Sequence, residues 1–165
     1  MPLLPIDCIR IVLIATLVYL AYKDWRTFRL PDLITMPLLG AGVLFSGLAS
    51  ISFTDLQNSL LGALTGYCSL WFLNFCYRKL YQQNGIGMGD AKLLAALGAW
   101  FGWSALPGIL FIASLSGLLG GMIWLRLQRQ TMRAAFPFGP FLAIAGIIEL
   151  LWPQLLYSLT LSSPA

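Results

Sequence analysis

Long apolar runs are the feature that most limits how this chain can fold. They cover roughly Ile6–Tyr22, Leu33–Ile51, Leu56–Tyr77, Ala91–Trp103, Pro107–Leu127 and Pro137–Leu159, with only short connections between them. About 20 apolar residues in a helix cross a hydrocarbon core of about 30 Å, and five of the six runs are near that length. Only 10% of the 165 residues are charged and 59% are hydrophobic, whereas a soluble domain keeps about 25% charged residues. With a mean hydropathy of +0.82, lipid must be the solvent for much of the chain. The expected fold is an all-α integral membrane protein of about six transmembrane helices. The fourth run is short, and spans only if it continues through Ser104–Leu106 or lies where the bilayer is thinned.

The remaining composition excludes several chemistries. Cys8, Cys68 and Cys76 form no CxxC pair, and the chain contains no histidine. Zinc ribbons, disulfide frameworks and histidine-based triads or metal sites are therefore not expected, nor is any cofactor. The net charge of +4 is not a nucleic-acid patch, because the basic residues lie in short clusters between apolar runs. The first run ends at Tyr22 and is followed by Lys23 and Asp24 with no small-residue cleavage signal, so it reads as an uncleaved helix. No repeat or linker divides the chain, and residues 1–165 read as one polytopic domain.

The cations set the expected topology. Lys23, Arg26 and Arg29 follow the first run, Arg78, Lys79 and Lys92 flank the third connection, and Arg126, Arg129 and Arg133 follow the fifth run. The second and fourth connections and the C-terminal tail carry none, so nine of the ten basic residues fall on one side. The positive-inside rule makes that side cytoplasmic and puts both termini outside the cytoplasm.

The acids then sort by depth. Asp7 and Asp55 belong to the outer side and read as solvated. Glu149 sits near the middle of the last run, where a carboxylate costs about 2.5 kcal/mol or more to bury and is by default a functional-site hypothesis; the plainer reading is a protonated Glu bonded to a neighbouring helix. Asp24, Asp32 and Asp90 lie at cytoplasmic helix ends. Taken singly, Asp24 is an interfacial charge beside Lys23 and Arg26, and Asp90 is a helix N-cap. Taken together, Asp24 and Asp90 end helices on the same membrane face, so packing can bring them to one depth. Two carboxylates about 3 Å apart cannot both ionise and share a proton. One then activates water as general base while the other protonates the carbonyl or leaving amine, which is the chemistry of aspartyl proteolysis. The lead-in "GIGMGD" supplies glycines that allow positive φ and close backbone approach, and so room for an extended substrate beside Asp90.

Two stretches carry a family resemblance: "KDWRTFRLPDLIT", with Asp24 eight residues before the Asp of Leu-Pro-Asp, and "GIGMGDAKLLAALGAWFGW". They resemble the signature regions of the type IV prepilin peptidases, and the later "AFPFGPFLAIAG" resembles a third family stretch. The resemblance covers nearly the whole chain. It implies a GxGD membrane aspartic protease of the bacterial inner (cytoplasmic) membrane, multi-pass, cutting the basic leader from prepilins or pseudopilins at the cytoplasmic face. Carried over residue by residue, it assigns catalysis to Asp24 and Asp90, with Gly87 and Gly89 beside the substrate. Lys92 reads either as a contact to a substrate carboxylate or lipid phosphate, or as an interfacial anchor. Asp32 matches the family's Leu-Pro-Asp and is expected to cap a helix begun at Pro31-Asp32.

Full-length members carry an N-terminal domain with two CxxC pairs associated with methylation. The chain as given has none, so the expectation is a short form that cleaves without methylating. The implied partners are a prepilin or pseudopilin substrate and the lipid bilayer, with no nucleic acid. Preflagellin and presenilin-like peptidases share the GxGD pattern, but "LPD" and "PFGP" argue against both. The alternative from another class is a small proton-coupled transporter or channel subunit, which would carry acids deep in the bilayer or helices broken at the midplane.

Overall fold

The computed structural model of the protein describes residues 5–48, 52–82, 87–128 and 137–153. Gly85 and Ile86 of the glycine-rich lead-in, Arg129 and Arg133, and the C-terminal end of the sixth apolar run lie outside the described residues. The described chain is helical: α1 (Pro5–Thr27), α2 (Asp32–Leu48), α3 (Leu56–Tyr81), α4 (Met88–Phe101), a 3-10 turn (Trp103–Ala105), α5 (Leu106–Gln128) and α6 (Gly139–Leu151). Each apolar run corresponds to one helix.

Helix α4 is the axis of the fold. Every residue from Asp90 to Trp100 is buried except Lys92, and α3, α2 and α6 pack around it while α1 and α5 pack on α6. Small residues let these helices approach. Gly62 of α3 meets the backbone of Gly98 on α4, and a Cβ at Gly66 would stand 2.8 Å from the Leu94 carbonyl oxygen. This Gly62/Gly66 pair is a GxxxG ridge, the arrangement that holds helices together where lipid removes the hydrophobic drive between them. The core is completed by Leu13, Leu17 and Leu20 of α1, Leu93, Leu94 and Leu97 of α4, Ile109 of α5 and Leu142 of α6.

The length of α4 answers the question raised by the short fourth run. At 14 residues it is about 21 Å long, too short to cross lipid alone. It stops at Gly102, whose φ of 84° turns the chain into the 3-10 turn and α5. Its terminal carbonyls would be orphaned in a dry interior, and the Ala99 oxygen is met by the hydroxyls of Ser59 (2.6 Å) and Ser46 (3.4 Å) from α3 and α2. The Trp100 indole N–H donates to the Leu38 carbonyl at 2.9 Å. A helix end at membrane depth is tolerable when protein satisfies it.

Among the described residues, two segments are long and apolar enough to cross a membrane by themselves, Leu56–Leu80 and Trp103–Met122; α2 and α6 are shorter apolar helices. The outer faces are apolar, with Leu64, Phe72, Phe111 and Leu118 all more than half exposed, far from the covering a soluble protein needs. Glu149 is placed differently from the sequence expectation. It is buried, but it lies two residues before the last residue of α6, beside Phe53, Phe101 and Ser104, rather than in the middle of a long span.

Candidate active site

Asp24 continues the buried stripe of α1. Leu13, Leu17, Leu20 and Asp24 recur at helical spacing on one face, and Asp24 is only 5% exposed. The helix ends just beyond it, at Phe28, whose φ of 52° lies in the left-handed region, at a cost of about 1–3 kcal/mol for such a side chain. Its N–H donates to the Asp24 carbonyl oxygen at 2.8 Å, and the Thr27 hydroxyl bonds the Lys23 and Arg29 carbonyls at 2.8 and 3.1 Å. These bonds hold the sharp turn that leads through Leu30 and Pro31 into α2.

The Asp24 carboxylate docks on the start of α6, where the Gly139 N–H donates to Oδ2 at 3.1 Å. A helix N-terminus presents unpaired N–H groups and partial positive charge to an anion. A Cβ at Gly139 would stand 2.6 Å from Oδ2 and 2.9 Å from Cγ, so only glycine admits the carboxylate. This gives the "PFGP" stretch a structural part in the site. Sequence reasoning assigned Gly139 none; the available signal was a Gly-Pro pair at a helix start, where N–H groups are free.

Asp90 is the third residue of α4 and 7% exposed. Both aspartates line one cavity of about 1170 Å³, so the structure brings together the two carboxylates singled out in the sequence. Both lie at helix ends, outside the apolar runs Ile6–Tyr22 and Ala91–Trp103. Burial, and next the charge of Asp24, push the Asp90 carboxyl from 3.8 up to about 7. Burial also raises Asp24, while the Gly139 N–H opposes that rise. The cavity also receives Lys23, Arg29 and Arg78, and the stacked pair Trp71 and Phe75.

Of the two freedoms expected of the glycines, positive φ is not used at Gly87 or Gly89. Gly87 has φ −67° and Gly89 is helical, so neither needs positive φ. A Cβ at Gly87 would meet the Asp90 Oδ2 at 3.4 Å, whereas one at Gly89 would crowd the Leu30 Cβ at 3.0 Å. Close approach is thus the role at Gly89, and at Gly87 the omitted side chain leaves the cavity wall open beside Asp90. Lys92 does not line the cavity. Its Nζ lies 2.6 Å from the Asp32 Oδ2. Asp32 is the first residue of α2, and its carboxylate takes that ammonium instead of serving as an N-cap; the Ile34 and Thr35 N–H groups reach the Pro31 carbonyl. Among the described residues, no three His, Cys, Asp or Glu side chains gather as metal donors.

Comparison with known proteins supplies an independent line. The model of the Type IV leader peptidase family matches residues 11–122. The prepilin leader peptidase/N-methyltransferase of Dickeya chrysanthemi is 46% identical over 133 residues, covering 81% of this chain and 46% of its own length. Its namesake in Aeromonas hydrophila is 46% identical over 136 residues, covering 82% and 46%. That of Neisseria gonorrhoeae is 42% identical over 138 residues, covering 84% and 46%. The chain spans about half the length of these curated relatives. No solved structure matches.

Proposed function

The chain belongs to the Type IV leader peptidase family, and from that premise we propose that it is an aspartic endopeptidase cutting the leader from prepilins or pseudopilins. Cleavage takes place at the cytoplasmic face of the bacterial inner membrane, which the chain crosses about six times with both termini outside. The substrate's apolar segment lies in the bilayer, and its scissile bond enters the cavity in extended form past Gly87 and Gly89.

Asp24, ionised and held by the Gly139 N–H, takes a proton from water as the water oxygen bonds the scissile carbonyl carbon. Asp90, protonated, gives its proton to the carbonyl oxygen, forming a neutral tetrahedral diol. Asp24 next gives its proton to the leaving nitrogen and the C–N bond breaks. A hydroxyl proton of the diol returns to Asp90, restoring the singly protonated pair. Each transfer needs a carboxyl poised near the working pH.

The observation that carries this reading is the burial of two carboxylates, Asp24 and Asp90, in one cavity although they stand 66 residues apart in sequence. The transporter alternative draws less support, because both carboxylates sit at helix ends and α4 is sealed along its length. The test is co-expression with a prepilin, scored by the size shift on loss of its leader. Asp24→Asn and Asp90→Asn keep shape and hydrogen bonding but cannot cycle a proton, so each is expected to abolish the shift while staying in the membrane. Full cleavage by either variant would refute the assignment.

A further inference from the structure

Lys92 is the one residue between Asp90 and Trp100 that is not buried. It shares a face of α4 with Gly89, three residues earlier. At Gly89 the absent Cβ admits Leu30, and at Lys92 the ammonium holds Asp32 at 2.6 Å. The segment from Leu30 to Asp32 is thereby seated on the first turn of α4 at two points. Asp90 lies between them in sequence and faces elsewhere, because residues two apart on a helix do not share a face.

Both members of the pair stand close to the aspartates. Asp32 lines their cavity, and Lys92 rises from the same helical turn as Asp90. A lone ammonium there would favour the doubly ionised dyad, and a lone carboxylate would oppose it. Paired, the two charges nearly cancel. Resting on the aspartic peptidase reading, we propose that the Asp32–Lys92 ion pair is a positioning and charge-balancing element of the site. It holds the start of α2 against the start of α4, and it keeps the Lys92 ammonium from drawing off the proton that Asp24 and Asp90 share. The other charged residues lining the cavity with Asp90 are Lys23 and Asp24 from α1, Arg29 from the turn before α2, and Arg78 from α3. The residues entering α6, Pro137 to Gly139, bring no charge, and none of these groups changes in the Asp32 and Lys92 variants.

The test is the pH–rate profile of the purified full chain in nanodiscs, with a synthetic prepilin as substrate. Asp32→Asn leaves Lys92 unpaired and should move the alkaline limb to lower pH. Lys92→Gln leaves Asp32 unpaired and should move it to higher pH. Each shift should be a few tenths of a unit to about one unit, as expected of a partly solvated charge near the pair. The double variant should return close to the parent profile, and Lys92→Arg should keep it. A purely structural role would lower rates at every pH without opposite displacements. Limbs that stay in place, or move the same way in both single variants, overturn the proposal.

Where turnover is too slow to measure, the pH at which the melting temperature stops falling as pH rises reads the same ionisation, because a carboxyl raised in the folded state loses stability between its unfolded and folded values, and the same opposite displacements are expected. Activity surviving in Asp24→Asn would sink the dyad reading and this proposal with it. An inactive Asp24→Asn combined with unmoved limbs would sink this proposal alone.

Discussion

Gly139 shows how much of the site depends on single atoms. Its N–H holds one oxygen of Asp24 at 3.1 Å, and its missing Cβ leaves the space that the carboxylate fills. Gly139→Ala should therefore displace Asp24 without emptying the core, and a displacement of about 1 Å at a reacting group costs on the order of a hundredfold in rate. Single-turnover cleavage by the purified variant checks this, and rates within a few-fold of the parent would show that the clearance is not needed. Asp24 and Asp90 were legible in the sequence because a carboxylate is costly beside a hydrocarbon core and has to be accounted for. Gly139 was not, since its contribution is a backbone N–H that any residue but proline carries. The Lys92–Asp32 pair was hidden for another reason: its members are 60 residues apart, and side-chain pairing at that distance leaves no local pattern.

At the scale of elements, α4 holds the reacting end in place because its whole length is clamped. Gly62 of α3 lies against the Gly98 backbone, and a backbone carbonyl cannot turn aside as a side chain can. Gly62→Val should force α3 from α4, lowering the melting temperature in detergent and cutting cleavage together, with a loss on the order of 3 kcal/mol or more. A variant that melts and cleaves like the parent would mean that the crossing is loosely packed. The helices were legible as apolar runs, with boundaries close to those found for α2 to α5, while α1 runs on past Tyr22 to Thr27 and α6 ends at Leu151. What was not legible was the reason α4 can be short. Its length is set by partners, the Ser46 and Ser59 hydroxyls at its end, rather than by bilayer thickness. Similarly, the apolar run from Pro137 does not reveal that α6 begins at Gly139, where its N–H groups are needed by Asp24.

For the whole molecule, the basic residues predict that the aspartate cavity opens to the cytoplasm. In a background with Cys8, Cys68 and Cys76 replaced, Lys79→Cys should resist impermeant thiol reagents in intact cells, and Asp55→Cys should react; the reverse pattern would invert the protein. The central claim, that Asp24 and Asp90 work as one coupled acid–base pair, meets its most direct test in the rate of prepilin cleavage against pH. The working state carries one proton. As pH rises through about 7, Asp90 loses it and the rate should fall. As pH drops, Asp24, raised by burial above 3.8, takes up a second proton and the rate should fall again. The two limbs belong to the pair as macroscopic steps. With the enzyme shown to be intact at every point, the account predicts a bell whose alkaline limb is centred near pH 7. A rate that stays flat through both limbs would contradict it.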